Sequence, residues 1–571
     1  MFRWGISSIT FSGGQELALD FGSVLILIGP NNGGKSRALR DIEAFFSSPD
    51  SVRPVIPSVM VAREGTAELF LQWMEGHYPS RLDPQNQRHF RTKGGDLTAN
   101  GVDKAWQRGE PLIAAHAFLV HRLGTEQRLT ITNRVPSIDP YRGQPEAYVH
   151  VLQANDDFRQ KACEEVRNAF GVELIVNWGA GSQVGFHVGE EPEHGPDRDR
   201  VSEPYLRELN MLPPLDSEGD GIRSFVGGLL AALCGAHPVL MIDEPEAFLH
   251  PPQARRLSAA LARTAKELGR QLIIVTHSAD VIRGALEASQ KVSVCRITRE
   301  TTLDGDVNHA SLLESEQLAT LWAKPLLRSS AAFDGLFHEG VVVCEADADC
   351  RFYEAILRRM ETQGRIDRAA DLYFVHGGGK GQLATLARAY RSLNTRTAIV
   401  ADLDLLRDRD QIAAVLDALG ADPSEMSGVF NGVHSALSAR PPVTSRGDFF
   451  SGMRAILDQA QERNELSGED RRELQRLLEE TADWSEAKRY GINKLRGGAL
   501  RDAQKLLDEW GNIGLFLVPA GELECWWPEG PALKNEWFLA AIKKVIEDEK
   551  SLKEATDFMA RVCRWFGCQT S

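Results

Sequence analysis

Asp243 and Glu244 are adjacent carboxylates that follow Val239–Ile242, a short apolar run that predicts a buried strand. A strand that is apolar on both faces belongs in a parallel sheet covered by helices. Such sheets bind ligands at the carboxyl ends of their strands. One carboxylate in this position can help to hold Mg²⁺, and the next can orient or deprotonate a water molecule. An acidic turn after a core strand would give the same pattern, so the other motifs decide between the two interpretations.

A second stretch provides groups that can bind the phosphates of a nucleotide. The apolar run 24–28 leads into GPNNGGKS and then into a helical pattern, which matches GxxxxGK[ST] in its strand–loop–helix context. Backbone N–H groups of such a loop wrap the phosphates, and the helix N-terminus adds positive potential. The lysine would reach the β- and γ-phosphates, and the serine hydroxyl would ligate Mg²⁺. The candidate ATP-binding residues are Gly29, Asn31, Asn32, Gly33, Gly34, Lys35 and Ser36.

Two further polar stretches flank the Asp243–Glu244 strand. Asp216–Arg223 is a glycine-bearing turn before the predicted helix 224–234, and such a helix N-terminus can bind an anion. An ordinary helix cap gives the same pattern. The predicted strand Gln271–Val275 ends before His277, which falls where a γ-phosphate sensor would lie.

The order of these motifs resembles the ATP-binding-cassette class of P-loop ATPases, in its DNA-repair and SMC-like branch. The resemblance makes Lys35 and Ser36 the Walker A residues, and it identifies Ser217 and Gly219 as a degenerate signature motif. The Walker B pair and the switch histidine are then Asp243, catalytic Glu244 and His277. The resemblance implies that ATP is sandwiched between two heads, with the signature of one facing the Walker A of the other. A homodimer follows.

A second set of carboxylates lies after residue 340. Val341–Cys344 predicts a buried strand that ends at Glu345, and Thr397–Ala401 predicts another that ends at Asp402 and Asp404. Residues two apart in an extended segment project to the same side, so the aspartates can hold one hard cation or share two. Glu345 adds a third oxygen ligand or a general base, and such a cluster suits metal-assisted phosphodiester cleavage. Solvated acids at strand ends are the alternative, which the ordered set of motifs disfavours.

A glycine-rich turn with a lysine, residues 377–381, follows a third predicted strand, Leu372–Val375. The glutamate, this turn and the Asp-x-Asp pair, each after its own strand, resemble a Toprim domain, the fold of topoisomerases, primases and several nucleases. An ATP-binding-cassette head fused to a C-terminal Toprim domain resembles the OLD (overcoming lysogenisation defect) family of ATP-dependent endonucleases. The nuclease subunit of the Gabija anti-phage system belongs to that family.

The OLD resemblance also implies further site residues and partners. A late GxxE-type stretch and a lysine complete the nuclease site, which points to Glu522, Glu524 and Lys534. The implied metal ligands of the Toprim half are then Glu345, Asp402, Asp404, Glu522 and Glu524. The cofactors are ATP and Mg²⁺, with Mn²⁺ as a second candidate ion at the Toprim site. The partners are a nucleic acid, with DNA favoured over RNA, and a phage trigger or a partner defence protein.

The 571 residues are too many for one hydrophobic core, and the α/β pattern predicts two domains. We expect an ATPase domain at 1–302 with an insertion at about 50–200, a linker at 303–335, and a Toprim domain at 336–571 with a helical insertion at about 450–510. In the first insertion, residues 117–120 and 129–131 predict strands. Scattered cysteines without a CxxC pair indicate reduced thiols. The absence of a leader pattern or a membrane-length apolar run predicts a cytoplasmic protein without membrane partners.

The sequence leaves two functions of different classes open. The first is a Mg²⁺-dependent endonuclease that is controlled by an ATPase head and acts in defence against phage. The second is a sensor or scaffold of a defence or DNA-repair complex, in which the Toprim domain does not cleave. Glu345, Asp402 and Asp404 favour the first function. Two features leave room for the second function. Ala346 stands where the Toprim motif usually has glycine, and the net charge is −15.

Overall fold

The computed structural model describes a large part of the chain in two compact units, Met1–Arg328 and Ser329–Ser571. The described residues are 2–78, 80–84, 87–92, 95–109, 112, 115–139, 145–179, 181–193, 199–303, 305–313, 315–316, 318, 331–366, 370–424, 427–438, 446–461, 474, 484–531, 533–547 and 552–570. Among them, no helix is both long enough and apolar enough to span a membrane.

The strands of the first unit form a central sheet and several smaller ones. They are β1 (Arg3–Thr10), β2 (Glu16–Ala18), β3 (Val24–Ile28), β4 (Ser58–Glu64), β5 (Ser80–Leu82), β6 (Arg88–Thr92), β7 (Gly95–Thr98), β8 (Val120–Leu123), β9 (Val135–Pro136), β10 (Glu173–Val176), β11 (Gln183–Val184), β12 (Phe186–Gly189), β13 (Val239–Asp243), β14 (Gln271–Val275), β15 (Val292–Thr302) and β16 (Gly305–Leu313). The central sheet has the order β16-β15-β3-β14-β13-β8, in which β16 pairs antiparallel to β15 and the other pairs are parallel.

The helices of the first unit pack on this sheet, on the smaller sheets and on one another. They are α1 (Lys35–Ser47), α2 (Ala67–His77), α3 (Ala99–Gln107), α4 (His116–Leu119), α5 (Thr125–Ile131), α6 (Tyr148–Ala154), α7 (Asp156–Phe170), α8 (Glu203–Leu209), α9 (Asp220–Cys234), α10 (Pro251–Leu268) and α11 (Ala279–Ala288). Every residue of β3 and of β14 is buried, as expected for parallel strands with both faces covered. Because β3, β13 and β14 are parallel neighbours, their carboxyl ends meet at one edge of the sheet.

Two parts of the first unit differ from the sequence-based expectation. Residues 305–313 were expected in a linker, but they form β16, the edge strand of the central sheet. The expected strands at 117–120 and 129–131 are also wrong, because these residues lie mainly in helices α4 and α5. Apolar runs this short fit the residue spacing of a helix as well as that of a strand. Packing against α9 favours the helix for α5. The region 50–200 does supply β8, which pairs with β13 in the central sheet.

The second unit contains a parallel sheet of the order β18-β17-β19-β20. Its strands are β17 (Gly340–Cys344), β18 (Leu372–His376), β19 (Arg396–Ala401) and β20 (Leu515–Leu517). Its helices are α12 (Asp347–Thr362), α13 (Leu383–Ser392), α14 (Arg409–Ala418), α15 (Ser427–Ser438), α16 (Arg446–Gln461), α17 (Ser485–Tyr490), α18 (Gly497–Asn512), α19 (Lys534–Glu547) and α20 (Lys553–Trp565). The α/β fold class is thus confirmed in both units. Within the expected helical insertion, residues 462–473 and 475–483 lie outside the described residues.

Candidate functional sites

The loop between β3 and α1 uses backbone conformations that glycine adopts most readily. Gly29 has a φ of 138° and Gly34 a φ of 97°. A Cβ atom on Gly29 would lie 2.1 Å from the carbonyl oxygen of Ile297 in β15. The side-chain amide of Asn308 in β16 donates a 2.8 Å hydrogen bond to the carbonyl of Gly33. The edge strands β15 and β16 therefore fix the shape of the loop.

Lys35 and Ser36 begin the helix that follows this loop. Lys35 is 4% exposed, and its ammonium donates to two carbonyls of the loop at 2.8 Å each. Burial lowers the pKa of Lys35 to about 8, against the opposing charge of Glu244. The Ser36 hydroxyl donates to a carboxylate oxygen of Asp243 at 3.0 Å. Hydroxyl and carboxylate oxygens are ligands that suit Mg²⁺, so Ser36 and Asp243 fit a site for this ion.

The turn after β13 meets the turn after β14. Nε2 of His277 lies 3.6 Å from a carboxylate oxygen of Glu244, whose backbone has a φ of 48°. One carboxylate oxygen of Glu246 accepts hydrogen bonds from the Thr276 hydroxyl and the His277 backbone N–H, each at 2.7 Å. Burial and the charge of Lys35 lower the pKa of His277. A neutral imidazole therefore lies beside the carboxylate that is the candidate for activating water.

A fully buried arginine of α5 supports this turn. The guanidinium of Arg128 donates to the backbone carbonyls of Asp243 and Glu244 at 2.7 Å each, and to the Ser224 hydroxyl of α9 at 3.0 Å. A Cβ atom on Gly227 would lie 2.0 Å from the carbonyl oxygen of Arg128, so α5 and α9 touch backbone to backbone. Burial lowers the pKa of Arg128, while the neighbouring carboxylates oppose this shift. Arg128 thus joins the acidic turn to α9.

Ser217 and Gly219 lie just before α9. The Ser217 hydroxyl donates to the carbonyl of Pro214 at 2.8 Å. Gly219 is the N-cap residue of α9, so no side chain caps this helix. A Cβ atom on Gly219 would meet no described atom within 4 Å. The space beside Gly219 is therefore open among the described residues, and contact of this stretch with nucleotide stays a prediction.

In the second unit, the carboxylates of Glu345, Asp402 and Asp404 come together. One oxygen from each lies within 4.8 Å of the others. The reason is the sheet, because β17 and β19 are parallel neighbours and the acids follow directly on their carboxyl ends. A carboxylate oxygen of Glu345 also accepts the backbone N–H of Asp402 at 2.9 Å.

The protonation of these acids differs from one to the next. Burial raises the pKa of Glu345 to about 7, and burial with the charge of Glu345 raises the pKa of Asp402 to about 9. Burial opposes ionisation of Asp404 too, but hydrogen bonds from Lys380 and Lys488 outweigh it and lower the pKa. Three crowded carboxylates resist simultaneous ionisation unless a cation shares them. The donor set of hard oxygens therefore fits Mg²⁺ or Mn²⁺.

Lysines contact the acids of this cluster. Lys380, from the glycine-rich turn after β18, pairs with Asp404 and lies 3.9 Å from Glu345. Lys488 of α17 lies 3.0 Å from the second oxygen of Asp404 and 2.9 Å from a carboxylate oxygen of Glu522. Lys488 thereby links Glu522, in the late GxxE-type stretch, to the cluster.

An exposed lysine contacts both glutamates of the late GxxE-type stretch. Lys534 lies 3.3 Å from Glu522 and 3.2 Å from Glu524. Asp349, in the first turn of α12, is a further acid: burial and the charge of Glu524 raise its pKa. Its carboxylate accepts the backbone N–H of Ala346 at 2.9 Å, which caps the helix.

Family comparisons match parts of both units. Residues 336–404 match the family model described as "Overcoming lysogenization defect protein-like, TOPRIM domain". Residues 203–283 match the model described as "AAA domain, putative AbiEii toxin, Type IV TA system". The chain therefore combines a match to an AAA-type ATPase domain with a match to an OLD-like Toprim domain. The OLD-like match spans Glu345, Lys380, Asp402 and Asp404, and the ATPase match spans Asp243, Glu244 and His277.

Solved structures similar to this chain include SMC head domains. One is the SMC head domain from Thermotoga maritima, at 12% identity and a TM-score of 0.28, covering 54% of this chain and 98% of that one. Another is the SMC head with an extended coiled coil bound to the C-terminal domain of ScpA, from Pyrococcus furiosus, at 11% identity and a TM-score of 0.31, covering 57% and 99%. No curated protein matches the chain.

Most of the expected residues lie at two sites, and the structure adds others. At the ATPase site, the loop residues Gly29 to Ser36 adjoin Asp243, Glu244 and His277. At the Toprim site, Glu522 connects to the acidic cluster through Lys488, and Lys534 joins Glu522 to Glu524. Sequence reasoning missed Arg128, Lys488 and Asp349. Of these, Asp349 alone had a local signal, as an acid in the first turn of the helix that follows Glu345.

Proposed function

We propose that this chain is an ATP-hydrolysing, metal-dependent endonuclease that cuts nucleic acid in its Toprim domain. The observation that carries the proposal is the cluster of Glu345, Asp402 and Asp404, whose carboxylate oxygens lie within 4.8 Å of one another. Their position at the carboxyl ends of neighbouring parallel strands is where α/β sheets present catalytic groups. The OLD-like Toprim match covers all three residues.

Each group has a proposed task in cleavage. Glu345, Asp402, Asp404, Glu522 and Glu524 would hold Mg²⁺ or Mn²⁺, which polarises a phosphate and lowers the pKa of a bound water. Where Glu345 does not ligate the ion, its carboxylate would instead act as the general base that takes a proton from water. Lys380 and Lys534 would lie close enough to steady the charge of the phosphate. The side chain of Lys534 is 73% exposed and can move towards a substrate.

The ATPase site has a separate set of tasks. Lys35 would bind the β- and γ-phosphates, and Ser36 with Asp243 would hold Mg²⁺, which would supply positive charge against the phosphates. Glu244 would accept a proton from the attacking water, while His277 contacts the γ-phosphate. Arg128 keeps the backbone of Asp243 and Glu244 in place.

We further propose a homodimer in which Ser217 and Gly219 of one protomer complete the ATP site of the other. The open surroundings of Gly219 support this arrangement. The proposed substrate is DNA, and the proposed setting is cytoplasmic defence against phage, with a phage component or a partner defence protein as the trigger. These assignments follow from the OLD-like architecture.

The experiment that tests the nuclease is cleavage of plasmid DNA and of tRNA, with and without ATP, in Mg²⁺ or Mn²⁺. Glu345→Ala and Asp402→Ala should abolish cleavage but leave ATP hydrolysis intact, since the ATPase groups lie in the other compact unit. Glu529→Ala, which changes an exposed acid of the Toprim domain, is the matched control and should cut like wild type. Equal cleavage by wild type and both cluster variants would refute the assignment.

A sensor or scaffold with a non-cleaving Toprim domain is the second candidate function. The observation in its favour is that Lys380 and Lys488 already neutralise Asp404 through direct ion pairs. If wild type binds neither Mg²⁺ nor Mn²⁺ at the cluster and cuts no substrate under any of these conditions, this second function replaces the first.

A further inference from the structure

Lys488 joins two carboxylates that belong to different strands of the Toprim sheet. Its ammonium nitrogen lies 3.0 Å from Asp404, which follows β19, and 2.9 Å from Glu522, which follows β20. Both acids are proposed metal ligands. The ammonium thus sits between two carboxylates that a divalent cation would also use.

The position of Lys488 is built into the fold through its backbone. Its carbonyl oxygen accepts a hydrogen bond from the Cys525 thiol at 3.2 Å, and it would lie 2.1 Å from a Cβ atom on Gly521. Gly521 has a φ of 119°, so the loop that carries Glu522 can approach α17 only with glycine here. The backbone of Lys488 is therefore fixed beside Glu522, and any movement is left to its side chain.

The side chain of Lys488 has room to move, unlike its carboxylate partner. It is 42% exposed, whereas the side chain of Asp404 is 7% exposed. The first oxygen of Asp404 is paired with Lys380, so both oxygens of this acid contact an ammonium group. A divalent cation bound through Asp404 and Glu522 would be repelled by an ammonium held between them.

We propose that Lys488 is a positioning residue that competes with the divalent cation: it holds Asp404 and Glu522 together before the metal binds, and its ammonium leaves them when the metal binds. This inference rests on the proposed metal site of the nuclease. Lys488 thereby sets the metal concentration at which the site fills. The segment between β19 and β20, which carries Lys488, thereby influences the proposed nuclease site directly.

The test is Mn²⁺ binding to the nucleotide-free full chain by isothermal titration calorimetry. The binding component that Glu345→Gln removes is assigned to the Toprim site. Lys488→Met should bind Mn²⁺ about tenfold more tightly at this site, a moderate gain because the lysine is partly screened by solvent. Lys488→Arg keeps the positive charge and should stay within about twofold of wild type. Lys505→Met, on the neighbouring helix α18, is the control and should not change the affinity.

Cleavage gives a second readout. The Mn²⁺ concentration for half-maximal cutting should fall in Lys488→Met in proportion to its tighter binding, and it should not fall in Lys505→Met. If wild type binds Mn²⁺ but does not cut, the nuclease proposal fails while the binding comparison still decides the role of Lys488.

Unchanged or weaker Mn²⁺ binding by a folded Lys488→Met would overturn the inference. Should that variant not fold, Lys488→Gln provides the same comparison, because its amide can still donate to either acid without carrying charge. Failure of both neutral variants to fold would also overturn it, since Lys488 would then act as a structural ion-pair residue alone.

Discussion

Replacing Asp402 by asparagine should stabilise the metal-free protein while abolishing cleavage. Burial and the charges of Glu345 and nearby acids raise the pKa of Asp402 to about 9, from a usual value of 3.8. A carboxyl whose pKa is higher in the folded than in the unfolded state costs stability as the pH rises between the two values. Over this pH range, the folded protein must either take up a proton or bear a buried charge. Asparagine removes both costs.

The coupling between protonation and folding sets an upper limit on the stability that Asp402→Asn can gain. At pH 7.5, each pH unit above the unfolded-state pKa costs about 1.4 kcal/mol, which gives a ceiling of about 5 kcal/mol. Relaxation of the acidic loops and entry of water reduce this cost, so we expect a gain of about 2 kcal/mol. For a unit of this size, the gain corresponds to a rise of about 4–8 °C in the unfolding temperature.

Asp404→Asn provides the matched comparison with the opposite sign. Asp404 is ionised by its contacts with Lys380 and Lys488, which outweigh burial and lower its pKa. Its stabilising effect is present above the unfolded-state pKa and is lost as the pH falls through the lower folded-state value. Asparagine leaves two lysines without this anionic partner, so we expect a loss of about 1–2 kcal/mol at neutral pH, discounted because both lysines are partly exposed.

Scanning calorimetry of the full chain in EDTA at pH 5 and pH 7.5 would measure both effects. The advantage of Asp402→Asn over wild type should be larger at pH 7.5. Added Mg²⁺ should raise the unfolding temperature of wild type more than that of the variant, because the ion relieves the same crowding of charge. The reasoning is refuted if the two variants shift the unfolding temperature in the same direction, or if Asp402→Asn is less stable than wild type in EDTA.

The remaining predictions concern the ATPase domain. Lys35→Ala should weaken ATP binding at least tenfold in a fluorescent-nucleotide titration, because Lys35 is the proposed contact to the β- and γ-phosphates. Glu244→Gln should bind ATP but hydrolyse it at least 100-fold more slowly in a phosphate-release assay, since an amide cannot accept the proton; equal rates would exclude the Walker B assignment. Arg128→Met should destabilise the domain by about 2–4 kcal/mol in chemical unfolding, because two backbone carbonyls and the buried Ser224 hydroxyl lose their hydrogen-bond partner, and unchanged stability would contradict this. Gly219→Arg should abolish hydrolysis yet regain part of it when mixed with Lys35→Ala, and a monomer in ATP by light scattering would contradict the shared site.

The nucleotide loop and the three central acids of the Toprim site were predictable because each depends on local order along the chain. An apolar run forms a strand, and polar groups next to it must emerge at the edge of the sheet. This pattern of a strand followed by polar groups occurs at residues 29–36, at Asp243 with Glu244, at Glu345, and at Asp402 with Asp404. The strand assignments at 117–120 and 129–131 failed for the converse reason. Runs so short fit either a helix or a strand, and contact with α9 decided the matter for α5.

Arg128, Lys488 and Asn308 carry no such local pattern, and only the tertiary structure gave them a role. Arg128 reaches carbonyls 115 and 116 positions along the chain, and Asn308 reaches a carbonyl 275 positions away. A buried donor must find an acceptor because desolvation without a hydrogen bond is costly, but the sequence does not say which acceptor. That choice depends on which segments the sheets and helices bring together. The sequence by itself therefore determined which reactive groups follow the strands at both sites, and long-range packing decided which other side chains hold those groups in place.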